Sequence, residues 1–89
     1  MSAADEASLV RFLVQLEQPF DADRDIGIAP TELVRFALGT SDYWANLALG
    51  WLASGLATSA LADDLRTYAA NTQHPQRQRH EALRLLKAV

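Results

Sequence analysis

Apolar side chains in this chain recur at intervals of three and four residues, in short runs punctuated by proline and glycine. Leu9, Phe12, Leu13 and Leu16 form one run, which Pro19 closes. Leu33, Val34, Ala37 and Leu38 form a second, between Pro30 and Gly39. Trp44, Leu47, Ala48 and Trp51 belong to a third, which ends at Ser54-Gly55. This spacing puts apolar groups on one side of a helix and does not fit the period of two that a half-buried strand needs. Composition agrees. Of 89 residues, 16 are Ala and 14 are Leu, against 6 that are Val or Ile. Strong helix formers dominate and strand formers are scarce. The expectation is an all-α fold: a compact bundle of about five short helices, mostly antiparallel neighbours, in a single domain over residues 1–89.

The expected helices follow from their punctuation. The first runs from about Ala3 to Gln18, with Ser2 as N-cap and Asp5 at the capping-box spacing. The second opens at Pro30, a favourable first helical residue, and ends at Gly39. The third runs from Ser41 to about Ala53 and is apolar nearly all round, which suits a central helix or an interface. The fourth covers about Ser59 to Ala70 with Leu61, Leu65, Tyr68 and Ala69 inward, and Asp63 and Asp64 sit near its positive end. Pro75 opens the fifth, which continues nearly to Val89.

Charge narrows the function classes. The net charge is −3, but residues 1–65 carry three basic and ten acidic side chains, while residues 66–89 carry five basic and one acidic. An acidic body of −7 is followed by a basic tail of +4. The isoelectric point near 5.1 argues against nucleic acid as a partner, because phosphates would be repelled. The absence of cysteine removes disulfides, zinc–thiolate sites and thiol nucleophiles. His74 and His80, six residues apart, do not share a helix face, and four glycines make no phosphate-binding loop. No cofactor is expected, and an enzyme is the least favoured class. The acidic Met1–Glu6 start is unlike a signal peptide, and no apolar run approaches the ~20 residues of a membrane span. The expected setting is cytoplasmic, with no membrane partner.

Two places carry candidate chemistry. Residues 20–33 read Phe-Asp-Ala-Asp-Arg-Asp-Ile-Gly-Ile-Ala-Pro-Thr-Glu-Leu. Asp21, Asp23 and Asp25 alternate, and Glu32 follows Asp21 by eleven residues, between two expected helices. This segment resembles an EF-hand calcium loop. The resemblance implies Asp21, Asp23, Asp25 and Glu32 as side-chain ligands of Ca²⁺, with Gly27 giving its carbonyl. Ca²⁺ takes six to eight oxygens, which alternating loop residues and a carboxylate on the exiting helix supply. At the sixth loop position, where the family has glycine, this chain has Ile26, with Gly27 one residue later. The plainer alternative is an acidic connection between helices, since Asp is common in turns.

The second place is the last helix, where Arg77, His80, Arg84 and Lys87 fall within a sector of roughly 80° at 100° per residue. They form either a basic stripe for an acidic partner or a solvated face. Trp44 and Trp51, seven residues apart, are likewise either core or a partner-binding face. The Pro-Gln-Arg-Gln-Arg-His-Glu-Ala segment from Pro75 also resembles the start of a HEAT-type helix, although about five helices are too few for a solenoid surface. The leading expectation is a non-catalytic protein-interaction module, alone or as a homodimer. A calcium-binding protein with one EF-hand-like loop is the alternative.

Overall fold

The fold was examined in a computed structural model, which describes residues 9–56 and 58–87. Among them are four α-helices: α1 (Pro30–Leu38), α2 (Asp42–Ala53), α3 (Ala62–Ala70) and α4 (Gln76–Lys87). Two short 3-10 segments, Leu13–Glu17 and Ser59–Leu61, complete the regular structure, and no strand occurs among the described residues. The all-α expectation holds, with four helices in place of about five.

Of the expected first helix, only residues 9–18 are described. Ser2 and Asp5, its expected cap, lie outside the described residues. Leu9 and Val10 are α-helical, and after a turn at Arg11 and Phe12 the chain continues as the 3-10 helix, with bonds from Phe12 N to Leu9 O and from Gln15 N to Phe12 O, both 2.9 Å. At three residues per turn, positions i and i+3 stack on one side. Leu13 and Leu16 are three apart and both are buried, so the tighter helix sinks the two leucines together. Val10 and Val14 are left in solvent.

The remaining elements follow their local chemistry. Pro30 sits in the first turn of α1, where its missing N–H costs nothing, and Leu33, Val34, Ala37 and Leu38 are all buried. Ser41 caps α2 by accepting from the Trp44 N–H. Gly55, at φ +127°, reverses the chain after α2. The expected fourth helix starts as the 3-10 turn Ser59–Leu61 and becomes α3 at Ala62. The expected reach of the last helix to Val89 falls outside the described residues.

Helix α2 is central, as its nearly all-round apolar character predicts. It packs on α1, on α4 and on the Leu13–Glu17 segment, while α3 and α4 pack against each other across the Asn71–Pro75 turn. Leu33, Val34, Leu49, Leu61 and Leu65 are the largest fully buried side chains. Each such burial contributes about 1.5–3 kcal/mol, and the chain has no cysteine to add a disulfide. The Cα radius of gyration is 12.4 Å, close to the ~12 Å of a compact chain this long. No helix among the described residues is long and apolar enough to cross a membrane.

Candidate functional site

The acidic loop folds back on the body. Ile26 is buried, while Asp21, Asp23 and Asp25 are exposed. The chain turns at Gly27, at φ +85°, and not at Ile26. A Cβ on Gly27 would also lie 3.1 Å from the Phe12 ring, so glycine is required there twice over. Two of the aspartates are engaged with the loop's own backbone. Asp21 Oδ1 accepts from the Asp23 N–H and Asp25 Oδ1 from the Gly27 N–H, both at 2.9 Å, as in Asx turns. Glu32 lies on α1 and accepts from Arg35 at 3.0 Å. Arg35 also reaches Asp64 and the Ala60 carbonyl, so it joins the start of α3 to α1. Among the described residues, no group of three or more His, Cys, Asp or Glu side chains is gathered to hold one metal ion.

The basic helix presents its charges outward. Arg77, His80, Arg84 and Lys87 are all exposed on α4, opposite the buried Gln78, Ala82 and Leu85. Arg84 is taken up by Glu81, whose carboxyl it holds below the ordinary value by hydrogen bonding and charge. Arg77, His80 and Lys87 make no ion pair among the described residues. Leu83, 46% exposed, stands on the same outer side, three residues from His80 and four from Lys87.

The two tryptophans part company. Trp51 is only 4% exposed and belongs to the core. Its indole N–H donates to the Gln18 carbonyl at 2.9 Å, and its ring lies 5.5 Å from that of Phe20. It fastens the segment after the first 3-10 helix to α2, and most of its ring is taken up by the core. Trp44 is half-buried and meets Tyr43 edge to face at 4.9 Å. The Tyr43 hydroxyl donates to Glu17 at 2.5 Å, and that bond, before burial, raises its pKa.

What α2 leaves uncovered is a narrow strip. Asp42, Tyr43, Asn46, Gly50 and Ala53 are exposed, and past Asp42 none is charged. Beside this strip a cleft of about 620 Å³ runs between the Gln18–Phe20 turn, α2 and α4. Leu47, Gly50 and Trp51 contribute to its walls, and Arg77 and Glu81 enter from α4.

A polar cluster that no sequence pattern singled out joins three helical elements. His74 Nδ1 lies 2.8 Å from Asp42 Oδ1, and the His74 ring stacks on Tyr68 at 3.8 Å between centroids. The Tyr68 hydroxyl donates to Gln78 Oε1 at 3.2 Å, and Gln78 Nε2 donates to the Asp42 carbonyl at 2.9 Å. Burial, and next the Asp42 carboxylate, push the Tyr68 hydroxyl up to about 12. The cluster ties the start of α2 to α3, to the Asn71–Pro75 turn and to α4. Chemically it holds the His74 ring in one orientation at the edge of a cleft of about 580 Å³. Among the described residues no hydroxyl hydrogen-bonds to His74 Nε2, so no nucleophile–base pair is formed there. The one sequence signal for Gln78 was its spacing, four residues before Ala82 and seven before Leu85, on the buried stripe of α4.

No protein-family model, no curated protein and no solved structure matches this chain.

Proposed function

We propose that this chain is a non-catalytic protein-interaction module that docks an acidic partner protein on the outer face of α4. The observation behind this reading is Leu83, 46% exposed on a helix face where Arg77, His80 and Lys87 make no ion pair among the described residues. An exposed aliphatic side chain on a basic helix face fits a surface that buries the one and neutralises Arg77 and Lys87. Opposite charge across such a surface sets orientation and speeds encounter. Arg84, already paired with Glu81, contributes less.

The test is differential. Proteins retained by the wild-type chain are compared with those retained by the triple variant Arg77→Glu, His80→Glu, Lys87→Glu. The three positions are exposed, so the variant keeps its helical circular dichroism. Acidic proteins held by the wild type, released by the variant and weakened by added salt support the reading. Equal retention by both chains overturns it. Light scattering on the wild type alone separates a second copy from another protein as the occupant.

A further inference from the structure

The charged side chains divide into matched and unmatched sets. Among the described acids, Glu32 and Asp64 meet Arg35, Asp63 meets Arg66, Asp42 meets His74 and Glu81 meets Arg84. Glu17 accepts from the Tyr43 hydroxyl. The acids that remain are Asp21, Asp23 and Asp25. All three are exposed in one loop, and none forms an ion pair among the described residues. Arg24 stands between Asp23 and Asp25 in sequence, yet it donates to the Pro19 carbonyl.

The bases divide in the same way. Arg35, Arg66 and Arg84 are paired, Arg11 lies over the Phe12 ring, and Arg79 donates to the His74 carbonyl. The permanent cations that remain are Arg77 and Lys87, both exposed on α4, with exposed His80 between them in sequence. Arg77 acts on Glu81 through space but makes no ion pair with it among the described residues. Lys87 is four residues from Leu83, so surplus positive charge stands beside the exposed aliphatic group. The loop presents the converse: exposed Ala22 lies between Asp21 and Asp23. Its shape is also preset, because Ile26 is buried and the chain turns at Gly27. A preset surface loses less freedom on binding.

We infer that the acidic partner of α4 is a second copy of this chain, whose Asp21–Asp25 loop seats against Leu83 with its carboxylates toward Lys87 and Arg77. The inference rests on the reading of α4 as a docking face, and names the occupant. Each copy carries both halves of the contact, so it is made twice in a closed dimer or repeats head to tail. Each copy also carries −3 overall. Salt screens that net repulsion beyond about 8 Å, whereas facing patches meet at contact distance.

Sedimentation velocity of the full chain, from micromolar to millimolar concentration, tests this against two variants. Asp21→Asn, Asp23→Lys, Asp25→Asn reverses the loop while the asparagine oxygens keep both Asx turns. Arg77→Glu, His80→Glu, Lys87→Glu reverses the α4 face. Neither variant alters a buried side chain, and circular dichroism compares their helix content with the wild type. Wild-type association that weakens in high salt, and by about tenfold or more in each variant alone, supports the inference. An equimolar mixture of the two variants brings a basic face to an acidic loop again, and association restored there supports it further. A wild-type chain that stays monomeric at millimolar concentration overturns it. So does association that persists undiminished in the loop variant, or a mixture that does not associate. If a monomeric wild type still retains acidic proteins through α4, the docking face stands and the second copy alone falls. If nothing is retained either, both fall.

Discussion

Among the described residues Gln78 is a buried polar side chain, 9% exposed, and its replacement by leucine is the sharpest probe of how the bundle is tied together. Gln78→Leu keeps most of the side-chain volume and the helix propensity, so packing and backbone terms change little. What it removes is specific. The Tyr68 hydroxyl, on a residue 3% exposed, loses its acceptor at 3.2 Å. A buried donor left without a partner costs about 1–3 kcal/mol. The Asp42 carbonyl loses its donor at 2.9 Å, but Asp42 is exposed and water replaces part of that bond, so this loss adds only about 0.5–1 kcal/mol. The expected destabilisation is about 2–3 kcal/mol. For a domain of this size that lowers the melting temperature by roughly 10–20 °C.

Urea unfolding followed by circular dichroism measures it, provided the dependence on urea keeps the same slope. The cycle with Tyr68→Phe isolates the bond itself. In the wild type, Tyr68→Phe removes a made hydrogen bond. In the Gln78→Leu background it removes only an unsatisfied hydroxyl and is neutral or stabilising. The coupling is therefore expected to be about 1 kcal/mol or more. A Gln78→Leu cost below about 0.5 kcal/mol, or a coupling of zero, would refute the claim that this side chain joins α2, α3 and α4.

The same cluster predicts an alkaline dependence. Tyr68 titrates at about 12 in the folded chain against 10.0 for a free tyrosine, so its contribution is complete below pH 10 and is lost as the pH rises through about 12. Urea midpoints across that range should fall for the wild type and fall less for Tyr68→Phe; parallel curves would exclude Tyr68 as the cause. Gly27→Ala forces a Cβ into the left-handed region and toward the Phe12 ring at 3.1 Å, and should cost about 1–3 kcal/mol in the same assay. A cost no larger than that of an exposed helical substitution would show the loop free to rearrange. Millimolar Ca²⁺ is expected to leave the melting temperature unchanged, because Asp21 and Asp25 are engaged in Asx turns and Glu32 is paired with Arg35. A clear rise with Ca²⁺ would mean that the native state binds it, and would support the EF-hand-like reading.

The helices were legible where one face was uniformly apolar. Leu33, Val34, Ala37 and Leu38 of α1 are all buried as their spacing predicts, and Ser41 caps α2 where a serine before an apolar run should. The described end of the first expected helix is 3-10 and not α for a definite reason. Leu13 and Leu16 are three apart, and that interval satisfies a 3-10 helix as well as an α-helix. Periodicity alone does not separate the two over so few residues. The polar cluster was not legible because its members come from distant places: Asp42 and His74 are thirty-two residues apart, and Tyr68 and Gln78 ten. Gln78 also stands among Gln76, Arg77, Arg79 and His80, where composition suggests a solvated turn of helix. Only its register with Ala82 and Leu85 marks it as inward.

Helix α2 shows how one element answers to two constraints. Its inner side, with Ala45, Ala48, Leu49, Trp51 and Leu52 buried, is set by the need to fill a core on three sides. Its outer strip carries Asp42, Tyr43, Asn46, Gly50 and Ala53, and at Gly50 and Ala53 no such demand applies. Alanine at Gly50 should stabilise the fold by up to about 1 kcal/mol, since its Cβ meets nothing. Urea unfolding of Gly50→Ala measures the gain. A loss in place of a gain would mean that packing does press on this position, and would refute the reading of the strip as free of the demands that set the inner side.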